Sequence, residues 1–320
     1  MDVLVTGGAG FIGANLCGAL RAAKGIGRVV ALDDLSTGKR ENLRGIDAVE
    51  LVVGSILEPK DLRAAMSGID SVVHLAARPS VPRSLEDPVA THHANATGTL
   101  AVLECARLGT RPHVVVASSS SVYGANTALP KREDAVTLPM SPYGASKLAA
   151  ESYALAHARS FEMDVLAFRF FNVFGQLQSA DHAYAAVIPA FISAALRSEP
   201  LLVHGDGCQT RDFTYVGSVA AVLTDAVRRR VTSPVAVNLA FGTRTSVLGL
   251  IDTLEQVLGH PLEREHAAPR KGDVRDSQAD QSRLRELFPD AMPVPLEEGL
   301  RETVRWFTGA SGSSPASRGR

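Results

Sequence analysis

The chain reads as an α/β protein built on a doubly wound parallel sheet, and three observations lead there. Short apolar runs alternate with helical patterns through the first half, as a parallel sheet with crossover helices requires. The first run, DVLV, passes directly into TGGAGFIG, where Gly7, Gly10 and Gly13 let the backbone turn tightly into a helix. A second run, RVVALDD, ends in Asp33, about twenty residues beyond the last of those glycines.

In chain order, the apolar runs predict strands at residues 2–5, 29–32, 49–53, 71–75, 114–117 and 165–168. Between them fall helical patterns, among them residues 11–23, 88–108 and 141–161. From about Arg169 the alternation loosens, with denser prolines, glycines and aromatics. Helices are expected there at 185–197, 216–229 and 247–258, with a strand at 235–239. The division that follows is a dinucleotide-binding domain over residues 1–170 and mainly a substrate-holding lobe over 171–308, with some later segments returning to the first sheet. Residues 309–320 are small, polar and basic, and are expected to form a disordered tail.

Bulk composition narrows the function. A chain of 320 residues that is 45% hydrophobic has enough material for one large α/β domain or a domain with a cap. A net charge of −1 supplies no electrostatic attraction to nucleic acid or to an anionic membrane, so neither is expected as a partner. The basic run Arg228, Arg229, Arg230 reads as a solvated helix end. Cys17, Cys105 and Cys208 are odd in number and far apart, which fits a reduced, cytoplasmic setting. The apolar stretch 11–20 is too short to span a membrane and sits behind the glycine loop, so neither a signal peptide nor an anchor is expected. The nine histidines form no ligand pattern, the adjacent His92 and His93 read as surface residues, and no metal is expected.

The glycine loop would bring backbone N–H groups to a pyrophosphate at a helix N-terminus. Asp33 stands where such a fold places the carboxylate that binds the adenosine ribose. Asp33 and Asp34 together would repel a ribose 2′-phosphate, a repulsion that Lys39 and Arg40 soften, and NAD is therefore the cofactor expected. Tyr143 and Lys147 in SPYGASK lie four apart on a helical stretch and share one face. An ammonium there can lower a phenol pKa that is ordinarily about 10, making the tyrosine a base near neutral pH.

The motifs TGGAGFIG, DDLSTG, HLAA, NATGTL, ASSSSVYG, SPYGASK, RFFNVFG and GDGCQTRDFTYV occur in an order that resembles the extended short-chain dehydrogenase/reductase family, and within it the nucleotide-sugar 4-epimerases. The similarity runs from Met1 to about Phe307 and implies a Rossmann-like fold. It implies cofactor contacts from Gly7, Gly10, Phe11, Ile12, Asp33, Asp34, Ser36, Thr37 and Gly38, and further ones from Leu75, Ala76, Ala77 and Asn95, besides Tyr143 and Lys147. At the adenine site the family usually has Gly-Asp-Ile or Gly-Asp-Leu, whereas this chain has Gly54, Ser55, Ile56. Ser55 could still accept the adenine amino group, with a weaker hold on the cofactor.

Ser119, counted back from the Tyr-Gly of SVYG, falls on the family's catalytic Ser/Thr position beside Tyr143 and Lys147. The resemblance implies that Tyr143 deprotonates the sugar's 4-hydroxyl as hydride moves to NAD, and that a transient 4-keto sugar turns and is reduced on its other face. Substrate contacts are implied for Ser80, Ser120, Ser121, Asn172, Val187, Arg211, Arg270, Asp273 and Ser277, and a UDP-sugar is the expected partner. Related 4,6-dehydratases carry Asp-Glu after the catalytic Ser/Thr and decarboxylases keep a glutamate, where this chain has Ser120 and Ser121. Epimerisation is thus expected ahead of dehydration or decarboxylation, and ahead of a non-catalytic NAD-binding sensor or scaffold. Ser277 would leave room for an N-acetyl group, and QLQSADHAYAAVIP resembles UDP-N-acetylglucosamine 4-epimerases, while SSSSVYG is shared with UDP-glucuronate 4-epimerases. N-acetylhexosamine ranks first, glucuronate second and glucose third. The resemblance also implies a homodimer formed through helices at 88–108 and 141–161.

Overall fold

The apolar runs form strands because they can be buried on both faces of one sheet. In the computed structural model, which describes residues 1–180, 186–269 and 274–309, every residue of β1 (Val3–Thr6) is buried. Val3 and Val5 face one side and Leu4 the other, as the two-residue period of a strand dictates. Helix α1 (Phe11–Ala22), β2 (Val29–Asp33), β3 (Val49–Val53), α2 (Pro59–Met66) and β4 (Ser71–His74) follow. Next come α3 (Val81–Glu86), α4 (Pro88–His92), α5 (Gly98–Leu108), β5 (His113–Ser119), α6 (Pro142–Phe161) and β6 (Val165–Phe170).

The second half continues with β7 (Val173–Phe174), α7 (Val187–Leu196), β8 (Leu201–His204), β9 (Thr210–Arg211), β10 (Thr214–Tyr215), α8 (Val216–Arg229) and β11 (Val237–Leu239). It ends with β12 (Thr245–Ser246), α9 (Val247–Leu258), β13 (Arg264–Ala267), α10 (Ser282–Leu287) and α11 (Leu296–Phe307). The seven-stranded sheet runs β3-β2-β1-β4-β5-β6-β11, with every pair parallel. Chain direction across the sheet reverses between β1 and β4, and an open sheet binds ligands at the carboxyl ends of its strands there.

Two apolar layers clamp the sheet. On one side Leu16, Cys17 and Leu20 of α1 pack with Val219, Leu223 and Val227 of α8 over Val3, Val5 and Ala31. On the other, Leu62 of α2, Val102 and Leu103 of α5 and Ala154 of α6 cover Leu4, Val30 and Val114. Both α8 and β11 therefore belong to the sheet although they follow residue 170 in sequence. The remaining lobe has its own core, in which Phe174, Phe191, Leu201, Ile251 and Leu300 meet. His92 and His93 are exposed, as expected.

The continuous helix expected over 88–108 is interrupted. Its middle, His93–Thr97, is one wide turn of π type, and the cause is polar. The Asn95 side chain is buried and bonds the Arg78 N–H at 2.7 Å, the Arg78 carbonyl at 3.2 Å and Ser146 Oγ at 2.9 Å. Thr99 Oγ1 donates to the Asn95 carbonyl at 2.6 Å. These bonds hold the turn against the loop that follows β4.

His74 completes that arrangement. Nδ1 lies 2.7 Å from Thr6 Oγ1 and Nε2 lies 2.9 Å from Thr99 Oγ1. Thr99 spends its single proton on Asn95, so it accepts from Nε2–H, and Nδ1 accepts from Thr6. Burial, with a smaller effect from the Lys147 charge, pushes the imidazole down to about 3, so the ring is neutral at pH 7. Because the folded value lies below the unfolded one of about 6.5, the folded state binds fewer protons between the two. Stability from this group is complete above about pH 6.5 and is lost as pH falls towards 3. Near pH 5, unfolding of the wild type should take up about one proton more than unfolding of His74→Gln, measured from the pH slopes of denaturant-unfolding free energies. Equal slopes would show that His74 does not titrate in this way.

Candidate active site

The carboxyl ends of the parallel strands open onto a cavity of about 1140 Å³. Gly7, Gly10, Phe11, Ile12 and Gly13 form one wall. The glycines are there for close approach. A Cβ on Gly13 would stand 2.1 Å from the Gly7 carbonyl oxygen, and one on Gly7, whose φ is +71°, would stand 2.7 Å from the Ala76 nitrogen. Gly10 caps α1 without any side-chain bond to the first-turn N–H groups. Those donors and the positive end of the helix dipole suit a pyrophosphate, so the residues present fit a dinucleotide.

Asp33 lines the same cavity and its carboxylate is shared with the backbone: Oδ2 accepts the Ala9 N–H at 2.9 Å and Oδ1 the Leu35 N–H at 2.8 Å. Each oxygen keeps a further acceptor site for a ribose hydroxyl. Burial raises its pKa, against the lowering effect of the backbone bonds. Asp34 accepts from Ser36 N and Ser36 Oγ at 2.9 and 2.6 Å, and Asp34, Ser36 and Thr37 all line the cavity. Gly38 is not on the wall. A Cβ there would press against Asp33 Oδ1 at 2.7 Å, so it shapes the loop that carries the acid.

At the other end of the cavity stand Ser119, Tyr143 and Lys147, with Ser120 and Ser121. Ser119 is the last residue of β5, and of the serine run it is the one whose hydroxyl acts on the Tyr143 phenol, favouring its ionised form. It lies 3.1 Å from Ser121 Oγ and accepts the Ser121 N–H at 3.1 Å. Helix α6 starts because Ser141 Oγ accepts the Gly144 N–H at 3.1 Å and Pro142 fits the first turn. Lys147 Nζ donates to the Ala117 carbonyl at 2.9 Å. Burial pushes this ammonium down to about 8. Tyr143 departs from the sequence expectation: burial raises its pKa above the ordinary value, and the Ser119 hydroxyl only partly offsets that. The protein alone leaves Tyr143 a phenol at neutral pH.

A second cavity of about 450 Å³ adjoins the first and is lined by Val187, Ile188, Phe191, Arg211 and Phe213. Asn172, Val173 and Gln178 border both. Asn172 Nδ2 donates to the Asp212 carbonyl at 3.2 Å, and Arg211 Nη1 donates to the Thr210 and Arg275 carbonyls at 2.9 Å each.

Several expected contacts fall elsewhere. Leu75, Ala76, Ala77 and Ile56 line the larger cavity, but Asn95 does not; its side chain is consumed in fixing Arg78 and Ser146. Ser55 is off the wall, with its N–H held by Asp61 Oδ2 at 3.0 Å and its Oγ accepting from Leu57 N at 3.2 Å. Ser80 is off it too and caps α3 through the Arg83 N–H at 3.5 Å. Ser277 lies against Thr210, to whose carbonyl its N–H donates at 3.1 Å, and borders neither cavity. Arg270 and Asp273 lie outside the described residues. Sequence reasoning missed Gln178, whose Nε2 donates to the Val173 carbonyl at 3.2 Å while its buried Oε1 has no partner among the described residues. It also missed Arg78 and Arg83 of the larger cavity; the charge density of RPSVPRSLED was the available signal.

A glycine-lined dinucleotide cavity that ends in a Ser-Tyr-Lys cluster and adjoins a second cavity defines a nucleotide-dependent redox enzyme. The chain belongs to the NAD-dependent epimerase/dehydratase family, whose model matches residues 3–240, and its cofactor is NAD. It is 37% identical to a UDP-glucose 4-epimerase of Mycolicibacterium smegmatis, over 97% of this chain and 100% of that one. Among solved structures it resembles UDP-N-acetylglucosamine 4-epimerase of Methanobrevibacter ruminantium, in complex with UDP-N-acetylmuramic acid, at a TM-score of 0.90 and 35% identity over 97% and 98% of the two chains. It also resembles UDP-glucuronic acid 4-epimerase of Bacillus cereus, in complex with UDP-glucuronic acid and NAD, at 0.86 and 29% over 97% and 100%.

Gly13→Ala tests the loop. Its Cβ would force Gly7 and Gly8 backbone out of place, and NAD affinity should fall more than about tenfold, about 1.4 kcal/mol, by calorimetric titration. An unchanged affinity would mean that the loop does not hold the diphosphate.

Proposed function

We propose that the protein is an NAD-dependent UDP-sugar 4-epimerase, with UDP-N-acetylhexosamine as the preferred substrate. The observation that carries the reaction is the cluster at the end of β5: Ser119, Tyr143 and Lys147 meet there, and serines rather than carboxylates follow at 120 and 121. Bound NAD supplies a hydride acceptor that later returns the hydride. Tyr143 takes the proton from the 4-hydroxyl and gives it back. Burial works against its phenolate, so a nearby cation must favour it, and Lys147, one turn along the same helix and still largely protonated at pH 7, is placed to do so. Ser119 stands by the phenol and can pass or hold the proton. Neither Ser120 nor Ser121 can serve as an acid at neutral pH, so elimination of water finds no proton donor there.

Epimerisation needs the keto sugar to turn while its nucleotide stays fixed. Asn172 and Arg211 at the adjoining cavity suit the diphosphate, and the apolar surface of Val187, Ile188 and Phe213 suits a base. The preference for the hexosamine over glucuronate or glucose is supported by the segment QLQSADHAYAAVIP, which resembles UDP-N-acetylglucosamine 4-epimerases, and by the likeness to the UDP-N-acetylglucosamine 4-epimerase structure. Ser277, which lines neither cavity, does not support that choice in the way the sequence implied.

The same reading includes a homodimer. Val89 of α4 is 65% exposed and Leu108 of α5 72%, and Tyr153 and Phe161 of α6 are 42% and 39% exposed. These apolar side chains lie on the helices expected to pair. Among the described residues no helix is long and apolar enough to cross a membrane, and the three cysteines are unpaired, which suits a reducing cytoplasm.

Incubation with a panel of UDP-sugars should give equilibrium mixtures of 4-epimers, fastest for UDP-N-acetylhexosamines. Tyr143→Phe should lower kcat roughly a hundred- to ten-thousandfold. Full activity in that variant would refute the assigned base, and no conversion by the wild type would favour a binding protein. Val89→Glu with Tyr153→Glu should halve the mass seen by light scattering, whereas an unchanged mass would place any dimer contact elsewhere.

A further inference from the structure

We propose that Glu151 is a positioning residue for the proton transfer, holding the end of β5 in the arrangement that Tyr143 and Lys147 require. This rests on the reading of Tyr143 as the base. Tyr143, Lys147 and Glu151 lie four residues apart along α6 and form one stripe. They reach three consecutive residues of the strand. Tyr143 stands by Ser119, whose hydroxyl partly offsets the effect of burial on the phenol, Lys147 Nζ donates to the Ala117 carbonyl at 2.9 Å, and Ser118 Oγ donates to Glu151 Oε2 at 2.7 Å. Removing the third attachment would leave the α6 side of this strand end, whose other side pairs with β6, held only by the two groups that must also do chemistry.

Glu151 is itself anchored. It is 3% exposed, and Arg169 of β6 grips it with two bonds, Nε to Oε2 at 3.0 Å and Nη2 to Oε1 at 2.7 Å. Arg169 Nη1 donates to the Glu133 carbonyl at 3.2 Å, and the guanidinium lies 4.8 Å above the ring of Tyr123. The Tyr123 hydroxyl donates to Asn238 Oδ1 at 2.6 Å, so the chain of contacts extends to β11. A buried ion pair of this kind is seldom more stabilising than apolar side chains of the same size. What an apolar pair cannot do is accept the Ser118 proton and fix that residue beside Ser119.

Three variants of the NAD-loaded protein decide the matter: Ser118→Ala, Glu151→Gln, and Glu151→Met with Arg169→Met, which replaces the pair by apolar groups of similar size. Steady-state kinetics would use the fastest UDP-sugar, and Tyr143 would be titrated by NMR after labelling tyrosine with carbon-13 at Cζ. Ser118→Ala, which spares the ion pair, should lower kcat about tenfold with KM within about twofold, and should weaken the acidity of Tyr143 by about the same factor. The double variant should fold and bind NAD yet stay as slow. Wild-type kcat and Tyr143 titration in Ser118→Ala would overturn the proposal, as would full activity in the double variant. Loss of thermal stability with kcat intact would likewise reduce Glu151 to a structural role. Were the wild type to convert no UDP-sugar, the reading of the base would fail, and the Tyr143 titration would still decide whether Glu151 positions it.

Discussion

The end of β5 carries a conflicting requirement on which the rest of the site depends. β5 pairs with β6 as far as Ser119, but β4 stops short of it, and Ser119 must be open to a ligand and still be held in one place. Helix α6 resolves the conflict by reaching across from one side, with Lys147 on the Ala117 carbonyl and Glu151 on Ser118. The strand order supplies the opening, because the chain turns back between β1 and β4. The glycine loop and the Ser-Tyr-Lys cluster are thereby brought to one cavity from strands far apart in sequence.

Burial sets the electrostatics of that cavity. It drives Tyr143 up and Lys147 down, so each is poorer at holding its charge than in water. His74, pushed down to about 3 on the opposite wall of β4, stays neutral and serves as a hydrogen-bonding link between Thr6 and Thr99. The ionisable groups are thus sorted by solvent exclusion into one neutral structural link and one pair poised for proton transfer.

Much of this was legible in the chain. The apolar runs marked six strands of the sheet, with edges off by a residue or two, because five of them are buried on both faces and leave an apolar block, while β3 at the edge keeps a valine-rich run. Gly7, Gly10, Gly13, Asp33, Tyr143 and Lys147, singled out by their spacing, and Ser119, by the resemblance, all line one cavity. What stayed hidden depends on contacts between distant segments. Asn95 looked like a cofactor contact, and only its distances to Arg78 and Ser146 show it fixing a wide turn instead. Ser277 and Ser55 looked like pocket residues, and neither lines a cavity: the Ser277 N–H bonds the Thr210 carbonyl and Ser55 Oγ accepts the Leu57 N–H. Gln178 carries no motif by itself; an unpartnered acceptor becomes visible only once its surroundings are known. Likewise α8 and β11 lie late in the sequence, and only packing on α1 and pairing with β6 return them to the first domain.

The central claim is that one carbon of a bound sugar is oxidised and then reduced on its other face within a single binding event. The most direct measurement uses a UDP-N-acetylhexosamine carrying deuterium at carbon four, with both epimers analysed by NMR after equilibration in ordinary water. The account predicts that deuterium remains at carbon four in both epimers, because the hydride never exchanges with solvent. Loss of deuterium to water, or its retention in a product whose configuration at carbon four is unchanged, would contradict it.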